Sequence, residues 1–147
     1  MGCTECGREA VTGFIGELVV KLIADDESGL WELQQPLSFQ SVVAGRTITA
    51  PVGHQTDFCS VPRVVGVYDM LGNRARKSGA IHDKLYVSHE LPREMADKVL
   101  HEMLLLDGVG PFEAMEFYLA VRQFGGAHWG PDPVNAAHPI AGSPDCA

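Results

Sequence analysis

Two periods divide the chain. Up to residue 53 apolar side chains alternate with polar ones or fall in short runs between turn formers; beyond it they recur every third or fourth position. These are the spacings of half-buried strands and of amphipathic helices. Residues 12–23, TGFIGELVVKLI, read as one strand, and the DDESG that follows reads as a turn in which Gly29 can take a positive φ. Leu30-Trp31-Glu32-Leu33 resumes the strand pattern, and Pro36 confines it to an edge or ends it. Residues 37–42 alternate cleanly, and 46–53 give a short fourth strand. The expected product is a small antiparallel β meander.

The helical part opens at Ser60, a good N-cap, with Pro62 in the first turn, where its missing N–H costs nothing. That helix is expected to reach about residue 71 and to stop at Gly72-Asn73. Three more are expected over 74–86, 92–106 and 111–124. In the third, Met95, Val99, Leu100, Met103 and Leu104 form an apolar stripe, and Asp107-Gly108 closes it with a left-handed cap. The fourth is expected to bury Met115, Leu119 and Tyr118, and Met95, Met103 and Met115 read as core filler. The fold class is α+β: an N-terminal meander packed on about four helices, followed by an extended Gly/Pro-rich tail. The expected boundaries are a lead-in over 1–10, one domain over 11–126 and a tail over 127–147.

Composition fits one ordinary domain: the 147 residues are 46% hydrophobic and 20% charged. With 19 acidic against 11 basic residues the net charge is −8, which argues against a nucleic-acid backbone as partner. The start lacks the apolar stretch of a signal peptide, and no apolar run approaches the ~20 residues of a membrane span. Synthesis in a host cytoplasm is the expectation. Cys3-x-x-Cys6 is half of a zinc knuckle that Cys59 and His54 would have to complete; the alternative is reduced thiols in a loose terminus.

Chemistry concentrates between residues 79 and 101. His82 and Tyr86 stand four apart on one expected helix, and Asp97 and His101 stand four apart on the next. Three readings follow. His82 is a general base oriented by Asp97, with Tyr86 bonded to the same carboxylate and Asp83 placed to hold a hard cation such as calcium. Alternatively His82, Asp83, Asp97 and His101 ligate a transition metal, zinc being the less favoured cofactor. In the third reading the buried His, Tyr and Asp only lock two helices together. Asp57 and Arg63 flank the expected strand-to-helix corner, as an ion pair or as a binding site for a substrate anion.

These residues carry a resemblance. Thr56-Asp57-Phe58-Cys59-Ser60-Val61-Pro62-Arg63 resembles the T-D-F-x-S-V-P-R signature of a phage and prophage family of uncharacterised small proteins. That family continues with A-x-x-H-D-x-x-Y, R-x-x-A-D and A-V-R-x-F-G-x-x-W; the corresponding stretches here run from Gly79 to Tyr86, with Gly79 where the pattern has Ala, from Arg93 to Asp97, and from Ala120 to Trp129, with one residue more before the Trp. The resemblance implies a phage gene, a virion or assembly role and other phage structural proteins as partners, in an oligomer or not. A partial similarity runs to the phospholipase A2 group, with H-D-x-x-Y on one helix and A-D on its partner. It implies that His82 activates water, that Asp83 binds calcium, that Tyr86 and Asp97 orient the imidazole, and that the substrate is an ester such as a host envelope lipid. The Gly-rich calcium loop of that group has no counterpart here. The combined expectation is a phage-type virion or assembly protein carrying a His-Asp hydrolase site. The competing expectation is a non-enzymatic adaptor of a tail or capsid.

Overall fold

A computed structural model describes residues 12–25, 30–56 and 75–129. Among the described residues six strands precede four helices: β1 (Gly13–Ile15), β2 (Val20–Ala24), β3 (Leu30–Leu33), β4 (Leu37–Ser41), β5 (Arg46–Ala50) and β6 (Gln55–Thr56), then α1 (Arg76–Ser88), α2 (Arg93–Leu106), α3 (Pro111–Phe124) and the single turn α4 (Gly126–Trp129). The class is α+β, as expected. The first expected helix lies outside the described residues, as does the tail from residue 130.

The expected strand over 12–23 is broken. Gly16 adopts φ +94°, and a Cβ there would meet the Pro36 carbonyl oxygen at 3.1 Å. A left-handed, crowded position of this kind suits glycine alone. The chain therefore turns, and the two pieces join different sheets: β1-β4-β5 and β2-β3-β6, all pairs antiparallel. Leu37, Phe39 and Ser41 of β4 alternate inward, and Phe39 pairs with Ile48 on β5 and with Phe14 on β1. Strand β6, two residues long and absent from the expected pattern, is held through β3: Leu33 N–H donates to His54 O at 2.9 Å and Gly53 N–H to Leu33 O at 2.8 Å.

Helix α1 is the centre of the molecule. It packs against β4, β5 and β6 on one side and against α2 on the other. Ser78, Gly79, Ala80, Ile81, His82, Asp83, Leu85 and Tyr86 are all buried. A helix enclosed on most sides must bury whatever polar residues it carries, and each of those needs a partner. Its own end is capped by His89 in the left-handed conformation (φ 52°), whose N–H donates to Leu85 O at 3.0 Å.

Helix α3 differs from expectation in its phase. It buries Ala114, Phe117 and Val121, whereas Met115 and Leu119 are 44% and 56% exposed. The two stripes are offset by one or two residues, about 100–200° around the axis, and apolar spacing alone fits both. Of the three methionines read as core, Met103 is fully buried, Met95 packs at the margin and Met115 faces outward.

Candidate active site

Three helices meet on one carboxylate. His82 and Tyr86 project from one face of α1, Asp97 enters from the first turns of α2, and Arg122 arrives from the end of α3. His82 Nε2 lies 2.9 Å from Asp97 Oδ1, and the Tyr86 hydroxyl donates to the same oxygen at 2.7 Å. Arg122 Nη1 donates to Asp97 Oδ2 at 2.8 Å. Both His82 and Asp97 are 0% exposed. The expected trio of His82, Tyr86 and Asp97 is thus one bonded unit, with the imidazole and phenol rings 4.3 Å apart.

Arg93, four residues before Asp97, ties the cluster to its surroundings. Its Nη2 donates to Val121 O at 3.0 Å and to Arg122 O at 2.7 Å, and its Nε donates to the Tyr86 hydroxyl at 3.4 Å. The last carbonyls of a helix have no partner within it and carry the negative end of its dipole, so a guanidinium suits them. Trp129 closes the assembly from α4. Its ring meets Tyr86 edge-on at 5.0 Å and stacks on His89 at 4.0 Å, and its backbone oxygen lies 2.7 Å from His89 Nε2. Gly125 permits this closure, because a Cβ there would stand 2.8 Å from the Tyr86 hydroxyl.

Charge follows from the geometry. Burial opposes ionisation of Asp97, but the hydrogen bonds from His82, Tyr86 and Arg122 outweigh it and hold the carboxyl below its ordinary range. Burial pulls the His82 pKa down, with Asp97 acting against it. Burial and the bond to Asp97 push the Tyr86 phenol up, so it stays a donor. The stable arrangement at neutral pH is an ionised Asp97 facing a neutral imidazole. Nε2 then carries the proton, and the lone pair belongs to Nδ1. That Nδ1 is buried and has no hydrogen-bond partner among the described residues.

The other expected residues go elsewhere. Asp83 Oδ2 accepts a hydrogen bond from Thr56 of β6, fastening α1 to the sheet. His101 lies against Tyr118 with ring centroids 5.7 Å apart, outside the Asp97 cluster. Among the described residues no three His, Cys, Asp or Glu side chains are gathered to hold a metal ion, so the four-residue metal set is not assembled. A calcium shell takes six to eight oxygens. Asp83, with the Thr56 hydroxyl bonded to it, offers oxygen donors to such a shell. Cys3, Cys6, Asp57, Cys59 and Arg63 lie outside the described residues. His54 is half-buried, its Nε2 without a partner among the described residues and its pKa lowered by burial and then by the charge of Lys84.

Arg93, Arg122 and Trp129 do not stand out as site residues in the sequence. The i,i+4 spacing of Arg93 and Asp97 was a usable signal; nothing local to Arg122 pointed to α2.

No helix among the described residues is long and apolar enough to cross a membrane. Searches of curated proteins and of solved structures give no significant match. A family profile does match, over residues 31–121, from β3 through α1 and α2 to the residue before Arg122. The chain therefore belongs to the family described as protein of unknown function (DUF1353).

Proposed function

We propose that this is a phage-type virion or assembly-associated protein whose His82–Asp97 pair is the general-base site of an ester hydrolase. The observation that carries the reading is an imidazole whose buried Nδ1 has no partner among the described residues and whose other nitrogen is fixed on an ionised carboxylate. A histidine that serves only packing gains by pairing both nitrogens, since an unpartnered buried polar atom costs about 1–3 kcal/mol. One held by a carboxylate with its second nitrogen open is arranged to take a proton. The phage origin rests on the ordered sequence motifs.

In the proposed reaction a water at Nδ1 gives up its proton as its oxygen attacks the ester carbonyl. The tetrahedral intermediate then expels the alkoxide, which takes that proton from Nδ1, leaving an acid and an alcohol. Asp97 stabilises the transient imidazolium and remains ionised; Tyr86 holds Asp97 in place. Because His82 is fully enclosed, turnover requires an opening to Nδ1.

That same enclosure favours a second reading, in which the cluster only joins α1, α2 and α3 in an adaptor of a virion. Hydrolysis of phospholipid vesicles and of a soluble short-chain ester by wild type and His82→Ala separates the two. Turnover lost in a folded His82→Ala variant supports the hydrolase. No turnover by wild type on either substrate, with His82→Ala merely less stable, leaves the adaptor.

A further inference from the structure

We propose that Arg122 is a positioning residue for this site: by holding Oδ2 of Asp97 it aims Oδ1 at His82 and so keeps the proton on Nε2 and the lone pair on Nδ1. The inference rests on the hydrolase reading for its purpose, but not for its test.

The geometry separates the two oxygens of the carboxylate. Oδ1 accepts from His82 and Tyr86, both on α1. Oδ2 accepts from Arg122 at 2.8 Å, with Arg93 Nε farther off at 3.9 Å. Arg93 spends its Nη2 on the α3 carbonyls of Val121 and Arg122, so Arg122 is the close cationic donor to Asp97. A carboxylate gripped on one oxygen by a guanidinium cannot rotate to offer the imidazole a different lone pair. With both carboxylate and cation in place, transfer of the His82 proton to Asp97 is disfavoured, and the imidazole keeps one tautomer. Arg122 is 31% exposed on its side chain, so replacing it opens no large core cavity. The groups facing the pair are Tyr86 from α1, Arg93 from α2 and Arg122 from α3, with Glu94 and Tyr118 near the guanidinium.

The test is imidazole nitrogen NMR across a pH titration of full-length wild type, Arg122→Gln and Arg122→Lys, with His82 assigned by its loss in His82→Ala. Wild type is expected to show a single Nε2–H tautomer. In Arg122→Gln the tautomers mix, and proton uptake by the His82–Asp97 pair moves up by about one pH unit, because a nearby cation has been removed. Arg122→Lys restores the wild-type tautomer and most of the midpoint. An unchanged His82 signal in folded Arg122→Gln overturns the proposal. Should that variant fail to fold, Arg122→Lys decides: a wild-type tautomer supports the assignment, and a mixed tautomer in a folded protein overturns it. A shift in Arg122→Gln with no ester turnover by wild type sinks the hydrolase reading and leaves the Arg122 assignment standing.

Discussion

Two carboxylates of helix α2, Asp97 and Glu102, stand about 140° apart around its axis, and each ends a different junction. Glu102 faces the sheets. It accepts from the Ser41 hydroxyl at 2.6 Å, the Thr12 hydroxyl at 2.7 Å and the Val42 N–H at 2.9 Å, all neutral donors around the end of β4. Asp97 faces the helices and accepts from an imidazole, a phenol and a guanidinium. Both junctions have three donors. Only the second contains an imidazole, and among the described residues one buried nitrogen of that ring has no partner. Hydroxyls and a backbone N–H make a latch of neutral groups, whereas an imidazole, a phenol and a guanidinium around a buried carboxylate make a junction whose strength depends on charge.

The largest test of that contrast is Asp97→Asn, which leaves a cation and an imidazole without their shared partner. It should lower stability by about 3–5 kcal/mol, the range for breaking a buried charged pair, as read by urea denaturation. A loss below about 1 kcal/mol would make the two junctions equivalent. Next comes Gly125→Ala, whose new methyl would stand 2.5 Å from the Val121 carbonyl oxygen and 2.8 Å from the Tyr86 hydroxyl, at an expected cost of about 1–3 kcal/mol. Gly126→Ala is its control: the nearest atom, on the Arg93 guanidinium, lies at an ordinary 3.5 Å, and the change should stay within about 0.5 kcal/mol. Glu102→Gln weakens the latch and should cost about 1–2 kcal/mol while leaving the His82 tautomer untouched; a changed tautomer would couple the two ends of α2.

The gentlest test is pH. The folded His82 pKa lies below its unfolded value, so below about 6.5 the unfolded chain binds the extra proton. Stability should therefore hold at higher pH and begin to fall as pH drops through that value. Asp97, also lowered on folding, adds a further loss below about 3.9. In His82→Ala the first of these two declines should shrink to the part contributed by His54, whose pKa is also lowered on folding.

How much of this could be read beforehand depends on distance along the chain. The helices at 93–106 and 111–124 were legible because apolar spacing and the flanking Pro and Gly agree. The pairing of His82, Tyr86 and Asp97 was legible because a short link between two helices makes neighbours of them. The split of the first strand was not, since the φ of Gly16 and its contact with Pro36 depend on a partner twenty residues on. Nor was the inward face of α3, where Met115 and Val121 are equally apolar and only packing against α2 chooses between them. Arg122 stands 25 residues from Asp97, and no local pattern joins them.

The chain has two tryptophans, Trp31 and Trp129, and the fold gives one to each half. Trp31 lies in β3, opposite Thr56, while Trp129 lies edge-on to Tyr86 and flat on His89. Light emitted by the second therefore carries information about the last helical turn and the phenol beneath it. A Trp31→Phe protein becomes its own lamp for that side of the molecule. Stopped-flow fluorescence could then time the undocking of that turn without any attached dye.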